Sequence, residues 1–165
     1  MIRTIACIIS LCCCLQLQAQ DSLQTLLKKY NTEQIPYIQV TELVRDSTNV
    51  ILLDSREPRE FKVSHLKNAV CVGYDRFDLA KTLNMLPKDK RSKIVVYCSL
   101  GIRSEDIAEQ LYKAGYTNVF NLYGGIFEWK NQGNPVFDAR AKPTEKVHTF
   151  NKTWSQWLQK GKKVY

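Results

Sequence analysis

The segment IVVYCSLGIRSEDIAEQLYKAGY (Ile94–Tyr116) joins a hydrophobic run to a helical pattern through a short loop that contains one cysteine. The run Ile94–Tyr97 is continuously apolar, as buried strands of a parallel sheet are. Residues 104–114 have the apolar spacing of an amphipathic helix, and Gly115 stands where a C-terminal glycine cap belongs. The order strand, loop, helix indicates an α/β fold, with Cys98 as the last residue of the strand.

Short apolar strands and helices also alternate along the rest of the chain. Strands are predicted at residues 37–40, 50–53, 69–72 and 118–122, and helices at residues 21–30, 41–44, 57–61, 76–83 and 125–130. Such alternation predicts a parallel sheet covered by helices on both faces. Ligands of these sheets bind beyond the carboxyl ends of the strands, which is where Cys98 is expected to lie.

The first twenty residues, MIRTIACIISLCCCLQLQAQ, differ from the rest of the chain. Arg3 precedes an apolar run, Ile5–Leu15, and Ala19 is the small residue of a cleavage site. The run is too short for an ordinary membrane span, so residues 1–19 are predicted to be a secretory signal peptide, and the protein to be periplasmic or secreted. An N-terminal membrane anchor and a buried helix are alternatives. Cys12–Cys14 also raise a lipoprotein signal, although the small residues expected ahead of a lipid-bearing cysteine are missing.

Removal of this segment would leave two of the six cysteines, Cys71 and Cys98. Two cysteines do not form a disulfide scaffold, and no paired-cysteine spacing for zinc remains, so no metal site is predicted. In an oxidising compartment the two could pair with each other. The sequence leaves this question open, because the distance between the two backbones decides it.

The formal net charge of +8 is concentrated in the C-terminal tail. Residues 140–165 hold seven Lys or Arg and one acid, Glu145. A nucleic-acid-binding domain would show a basic face across its body, so the distribution of charge argues against a nucleic-acid partner.

The loop Cys98–Arg103 has the features of an anion cradle. Backbone amides at the start of a helix lack intrahelical partners and attract negative charge. Gly101 allows the backbone angles of a tight loop, Arg103 adds a positive charge, and Ser99 adds a hydroxyl donor. These groups favour the thiolate of Cys98 and lower its pKa, which predicts a nucleophile.

The alternative is that Cys98 is a small buried side chain, as a lone cysteine after an apolar strand commonly is. A cysteine hydrolase would also need a histidine to activate the thiol, and the two histidines, His65 and His148, are distant in sequence. A cysteine activated by loop amides alone suits chemistry with good leaving groups, such as sulfur or phosphoryl transfer.

Three stretches, in the same order, resemble the signatures of the rhodanese family of sulfurtransferases. YCSLGIRS (97–104) is similar to the active-site pattern, in which a strand is followed by cysteine, x-x-glycine-x-arginine and a helix. ILLDSREPREFKVSHLKNAV (51–70) resembles the Asp-x-Arg signature, and NVFNLYGGIFEWKNQGNPV (118–136) resembles the terminal signature. The resemblance runs from about residue 38 to residue 136.

The resemblance implies a three-layer α/β fold, with a five-stranded, mostly parallel sheet between helices. It implies that Cys98 carries sulfur as a persulfide without a metal or an organic cofactor, and that Asp54 and Arg56 support the site. His65 is expected to pack and to form hydrogen bonds rather than to react. The cradle around the sulfur would consist of Ser99, Leu100, Gly101, Ile102 and Arg103.

Loop length separates the relatives that share the fold this chain resembles. The sulfurtransferases have a six-residue loop, and the phosphatases and arsenate reductases have one residue more. Cys98–Arg103 comprises six residues, which favours sulfur over phosphate or arsenate. Some thiosulfate users carry a basic residue at variable loop positions, whereas this chain has Ser99, Leu100 and Ile102. Thiosulfate is therefore expected to be a poor donor, and an apolar rim of Leu100 and Ile102 would suit a polysulfide, a small persulfide or a protein partner.

The leading hypothesis is a sulfurtransferase that moves sulfane sulfur from a donor such as thiosulfate or polysulfide to a thiol or cyanide acceptor. The alternative is a rhodanese-like binding or redox-sensing module with little turnover. A rhodanese-fold phosphatase or arsenate reductase is the third hypothesis, and the loop length disfavours it.

Residues 137–165 extend beyond the resemblance. A stripe of apolar side chains in this segment has helical spacing: Phe150, Trp154, Trp157 and Leu158. The stripe predicts an amphipathic helix that packs back on the body, with a partner-binding helix and a helix on an anionic membrane surface as alternatives. The predicted layout is a signal peptide at 1–19, a helical lead-in at 20–36, the rhodanese-like domain at 37–136 and a basic extension at 137–165.

Overall fold

A computed structural model describes residues 23–46 and 48–165. The chain divides into two compact units between Thr32 and Glu33. The first described element, helix α1 at residues 23–30, lies in the first unit and confirms the predicted leading helix over that range. The predicted signal peptide lies outside the described residues.

Five strands of the second unit form one sheet in the order β1-β5-β4-β2-β3 within the described residues. The strands are β1 (Tyr37–Ile38), β2 (Ile51–Asp54), β3 (Val70–Cys71), β4 (Ile94–Tyr97) and β5 (Val119–Leu122). Each neighbouring pair is parallel, so this sheet is more regular than the mostly parallel one that was expected. The predicted five-stranded α/β fold is confirmed, with β4 in the centre.

Helices connect these strands at nearly the predicted positions. They are α2 (Val40–Arg45), α3 (Pro58–Val63), α4 (Leu79–Met85), α5 (Arg103–Lys113) and α6 (Gly125–Asn131). The largest shift is in α4, which begins after Asp78 because the Asp78 carboxylate accepts a hydrogen bond from the backbone N–H of Lys81 at 2.9 Å. Within residues 23–46 and 48–165, no helix combines the length and the apolarity that a membrane crossing requires.

Strand β4 is buried along its whole length, on both faces of the sheet. Side chains alternate between the two faces, so Ile94 and Val96 point to one side and Val95 and Tyr97 to the other. Ile94 and Val96 belong to the main hydrophobic cluster, together with Ile107, Ala108 and Leu111 of α5. Helices therefore cover the sheet on both sides, and the carboxyl end of β4 opens into the loop that contains Cys98.

The register of the sheet answers the question of a disulfide between Cys71 and Cys98. Cys71 in β3 lies opposite Asp54 in β2, and Asp54 lies opposite Tyr97 in β4. Neighbouring strands are about 4.8 Å apart, so two strand spacings separate Cys71 from Tyr97 by roughly 10 Å. The Cα atoms of a disulfide are at most about 7 Å apart, so Cys71 and Cys98 are not placed to pair without backbone movement. Both thiols are free in the structure.

The predicted amphipathic helix of the C-terminal extension is wrong. The segment forms a single 3-10 turn, Trp154–Trp157, between the paired strands β8 (Lys146–His148) and β9 (Lys162–Val164). An earlier pair, β6 (Val136–Phe137) with β7 (Pro143–Thr144), begins the extension. Phe150 has a φ of +64°, which no α-helix accommodates, and the Asn151 side chain accepts a hydrogen bond from the N–H of Trp154 at 3.0 Å. Local side-chain bonds of this kind compete with helical backbone bonds.

The extension does pack against the body, as was expected. The Asn131 amide at the end of α6 donates to the carbonyl of Trp157 at 2.9 Å. The same side chain accepts from the backbone N–H groups of Gln159 at 2.7 Å and Lys160 at 3.2 Å. Three hydrogen bonds from one side chain therefore attach the C-terminal segment to α6.

We expect Asn131→Ala to lower the free energy of unfolding by about 1–3 kcal/mol, because it leaves three backbone groups of the tail without their protein partner. Urea denaturation measures the change. Gln132→Ala is the matched control, since Gln132 directly follows α6, is exposed, and donates its side-chain amide to Glu128 of that helix. Equal stability of the two variants would contradict the role of Asn131 as the attachment point.

Candidate active site

The loop between β4 and α5 wraps its backbone around the sulfur of Cys98. Because β4 ends at Tyr97 and α5 begins at Arg103, only five residues connect them. Gly101 has a φ of +108°, a region that side chains rarely adopt, and its N–H donates to Sγ of Cys98 at 3.1 Å. The Cys98 residue is only 2% exposed. The loop thus presents a polar donor to a buried sulfur.

The start of α6 fixes this loop from the other side. The N–H of Ile126 donates to the carbonyl of Cys98 at 2.9 Å, and the N–H of Phe127 donates to the carbonyl of Ser99 at 3.2 Å. Gly125, with a φ of +54°, makes the close approach possible. A Cβ atom at this position would overlap the carbonyl oxygen of Cys98 and lie 2.7 Å from the carbonyl carbon and oxygen of Ser99. Only glycine fits where α6 meets the cysteine loop.

A buried polar network lies behind the loop. The Ser104 hydroxyl is 3.5 Å from Sγ of Cys98 and 2.7 Å from the amide oxygen of Asn121. The Asn121 amide nitrogen donates to the carbonyl of Gly101 and to the carboxylate of Glu105, both at 2.8 Å. A hydroxyl has one hydrogen, so Ser104 donates either to the sulfur or to Asn121 at any moment. Asn121 therefore positions both the hydroxyl and the loop backbone.

Arg103 supplies the positive charge of the site and is itself fixed by Glu60 from α3. Its two terminal nitrogens donate to the two carboxylate oxygens of Glu60 at 2.8 and 2.9 Å, and one of them also donates to the Ser99 hydroxyl at 3.2 Å. Burial tends to raise the pKa of Glu60, but the hydrogen bonds and charge of Arg103 outweigh burial and lower it. Glu60 thus stays ionised beneath the guanidinium.

The thiol of Cys98 is more acidic than an ordinary thiol. Burial acts to raise its pKa, but the charge of Arg103, the Ser104 hydroxyl and the amides of Ser104 and Gly101 together lower it. Cys71 shows the opposite result, because burial raises its pKa. The thiolate is the reactive form of cysteine, so the loop makes Cys98 the more readily ionised of the two thiols.

Asp54 and Arg56 act on the site through α3. The Arg56 side chain donates to Asp54 at 3.0 and 2.6 Å, and it also donates to the carbonyl of Ser64 at 2.6 Å. Both members of the ion pair are fully buried. They link the end of β2 to the residue that caps α3, and α3 carries Glu60.

The structure differs from the sequence expectations at one cradle residue. Leu100 was expected at the rim, but it is only 3% exposed and therefore packs inward. Ile102 is half-buried and does reach the surface beside the loop. His65 packs as predicted, with its ring stacked on Phe61 at 3.9 Å and its Nδ1 3.0 Å from the Phe61 carbonyl oxygen.

The sequence reasoning missed four residues that build the site: Glu60, Ser104, Asn121 and Gly125. Ser104 directly follows Arg103, and the pair Gly124–Gly125 stands at the start of α6, so local signals existed for Ser104 and Gly125. Glu60 lies 43 residues before its partner Arg103, and Asn121 lies 17 residues after Ser104. Contacts between residues so far apart in the chain depend on the order of the strands in the sheet, which cannot be read directly from the sequence.

Comparison with known proteins identifies the family to which this chain belongs. The model of the rhodanese-like domain matches residues 39–132, more than half of the chain. The chain therefore belongs to the rhodanese-like domain family, as its three signatures predicted.

Curated relatives match over the same region. A tRNA uridine(34) hydroxylase from Hamiltonella defensa is 38% identical over 93 residues, which cover 55% of this chain and 26% of the relative. A protein of the same name from Yersinia enterocolitica is 36% identical over 116 residues, which cover 62% of this chain and 33% of the relative. This chain thus spans about a quarter to a third of the length of these two relatives.

Solved structures share the fold. A rhodanese-related protein from Thermoplasma volcanium has a TM-score of 0.54 and 29% identity, and the match covers 61% of this chain and 96% of that protein. A thiosulfate sulfurtransferase from Pseudomonas aeruginosa has a TM-score of 0.59 and 17% identity, and the match covers 85% of this chain and 26% of that protein. At 17% identity, the second likeness concerns the fold alone.

We expect Gly125→Ala to destabilise the protein by more than about 2 kcal/mol and to reduce the reactivity of Cys98, because the new Cβ displaces the cysteine loop. Gly133→Ala is the matched control. Gly133 also has a positive φ, +86°, but nothing lies within 4 Å of a Cβ at this position. Gly133→Ala therefore measures the cost of backbone strain alone, about 1–2 kcal/mol. Urea denaturation and alkylation of Cys98 measure both effects. Identical results for the two variants would contradict the crowding at Gly125.

We expect Ser104→Ala to slow the alkylation of Cys98 by iodoacetamide at neutral pH by about two- to tenfold, because loss of one donor raises the pKa of the thiol. Above the pKa of both proteins the thiolate is fully formed in each, so their rates should converge. Peptide mapping assigns the label to Cys98 rather than Cys71. Ser104→Thr keeps the hydroxyl and should retain the original profile. A Ser104→Ala deficit that persists unchanged at high pH would argue against a pKa effect.

Proposed function

We propose that this protein is a sulfurtransferase that carries sulfane sulfur as a persulfide on Cys98. The supporting observation is the six-residue loop, which aims the N–H of Gly101 at Sγ and places Arg103 at its end. This arrangement favours the thiolate, and the same donors would stabilise the negative charge of a terminal persulfide sulfur.

The reaction has two displacement steps. In the first, the Cys98 thiolate attacks the outer sulfur of the donor, the sulfur–sulfur bond of the donor breaks, and the remainder leaves with the electron pair. In the second, a thiolate or cyanide attacks the outer sulfur of the Cys98 persulfide, and the Cys98 thiolate leaves. Both leaving groups are stable anions, so neither step requires a general acid, a metal or an organic cofactor.

The loop favours sulfur over a larger oxyanion. Cys98–Arg103 has the six residues that the sulfurtransferases of this fold have, one fewer than the phosphatases and arsenate reductases. Leu100 points inward and Asn121 holds the carbonyl of Gly101, so the loop has little freedom to widen. Such a loop can surround a single sulfur atom, which is smaller than a phosphate or arsenate group.

The names of the curated relatives do not extend the proposal to hydroxylation. The aligned region covers about a quarter to a third of those proteins, and most of their length lies outside the match. The proposal therefore concerns the chemistry of the rhodanese-like domain. Export through the N-terminal segment remains part of the proposal, with action in a periplasm or outside the cell.

Intact-mass measurement tests the proposal. After incubation of the reduced protein with thiosulfate or polysulfide, we expect an adduct of one sulfur atom, which cyanide removes as thiocyanate. In the protein without residues 1–19, which keeps only Cys71 and Cys98, Cys98→Ala should form no adduct. Cys71→Ala is the matched control and should behave like the unmodified sequence, because burial keeps the pKa of Cys71 high. Absence of an adduct on reduced Cys98 with both donors would overturn the proposal.

A further inference from the structure

A residue of the C-terminal extension reaches the active-site arginine. The guanidinium of Arg103 lies over the ring of Phe150, 5.4 Å from its centroid, which is within the range of a cation–π contact. Arg103 also donates to Ser99, the residue after Cys98, so Arg103 connects Phe150 to the cysteine loop. Phe150 belongs to the part of the chain that follows the rhodanese-like match at residues 39–132.

The backbone holds Phe150 in this position at a cost. Its φ of +64° is unfavourable for an aromatic residue. The N–H of Phe150 donates to Nδ1 of His148 at 3.0 Å, which requires a neutral imidazole, and burial lowers the pKa of His148. The N–H of Thr149 donates to the carbonyl of Val164 at 2.8 Å, so strand β9 anchors the same turn.

The ring that this strained turn presents is not part of the core. Phe150 is 43% exposed, so the strained backbone does not serve to bury the ring. Backbone strain that the surrounding contacts maintain is characteristic of functional positions. The position of the exposed ring beside Arg103 therefore points to contact with a substrate.

The site around Arg103 is poorly suited to a doubly charged anion. Three of the five N–H donors of Arg103 are already used by Glu60 and Ser99. The buried carboxylate of Glu60 also balances the charge of the guanidinium. Phe150 lies against this guanidinium and the half-buried Ile102 precedes it in the chain, and both side chains are apolar. Tyr74 also lies close enough to Arg103 and Cys98 to interact electrostatically with them, and its hydroxyl donates to the carboxylate of Asp106, which offers no positive charge to an anion.

We propose that Phe150 is a specificity-determining residue that selects organic hydropersulfides with a hydrophobic group over thiosulfate. This inference rests on the proposed sulfur transfer and names its donor class. The Cys98 thiolate attacks the outer sulfur of R–S–SH, the sulfur–sulfur bond breaks, and R–S⁻ leaves while Cys98 becomes Cys98–S–SH. No oxidant or further reactant is required.

The burial of Cys98 agrees with such a donor. With the residue only 2% exposed, the attacking sulfur accepts a partner that is slender at its reacting end. A hydropersulfide on a methylene group has this shape, and its hydrophobic group would stay outside, against Phe150. Thiosulfate would instead bring a bulky, charged sulfonate towards the apolar side chains of Phe150 and Ile102.

The experiment compares three donors with cyanide as the acceptor: benzyl hydropersulfide, cysteine hydropersulfide and thiosulfate. We expect the unmodified sequence to give the highest kcat/KM with benzyl hydropersulfide. Phe150→Asn should lower the ratio of kcat/KM for the benzyl donor to that for the cysteine donor by about three- to tenfold, the range expected for one aromatic contact. Asparagine tolerates a positive φ, so this variant removes the ring without adding backbone strain.

Two further variants make the result specific. Phe150→Tyr keeps the aromatic face and should keep the ratio. Tyr112→Asn is the matched control, because Tyr112 is an exposed aromatic residue nine positions along α5 from Arg103, about 13 Å away. If Phe150 merely supported Arg103, its loss would slow the benzyl and cysteine donors together and leave the ratio unchanged.

The outcomes separate this inference from the proposed function. An unchanged ratio in Phe150→Asn, or a higher kcat/KM with thiosulfate than with benzyl hydropersulfide, would overturn the role of Phe150 and leave sulfur transfer intact. Failure of the protein to raise thiocyanate production above the protein-free rate with any of the three donors would instead contradict sulfur transfer itself.

Discussion

The ion pair between Arg103 and Glu60 is the contact on which the site depends. Arg103 is the first residue of α5 and Glu60 lies in α3, so the pair joins two connections that leave the sheet from different strands. Removal of one partner from a buried pair typically costs about 3–5 kcal/mol, because the other charge is left unpaired. The pair keeps the guanidinium beside the cysteine loop, and it also limits how much of that charge a substrate can use.

The rest of the site is arranged around this constraint. Asp54 and Arg56 link the end of β2 to the end of α3, and α6 holds the carbonyl of Cys98 through a helix start that only Gly125 permits. The amides of the loop are consequently oriented before any ligand binds. Pre-oriented donors stabilise a thiolate more effectively than mobile ones, since they need no reorganisation when charge develops.

Local sequence was sufficient for the fold and for the cysteine whose pKa the loop lowers. The continuous apolar run of β4, the glycine and arginine after Cys98 and the helix that follows are contiguous, so their physical consequences could be read together. Glu60 and Asn121 could not be found in this way, because their contacts depend on which strands are neighbours. Leu100 was misplaced because an apolar residue in a tight loop can point either to solvent or to the core, and only the packing decides.

The C-terminal extension shows why a periodic pattern can mislead. The apolar stripe is typical of a helix, but the positive φ of Phe150 and the side-chain hydrogen bond of Asn151 prevent helical geometry there. The paired strands β8 and β9 form instead.

The chemistry of the site depends on the pKa of Cys98, which can be measured directly by a carbon NMR titration of its labelled Cβ. We expect an inflection below the value of about 8.5 for a free cysteine, and below that of Cys71. An inflection for Cys98 at or above the free value would contradict an activated thiolate.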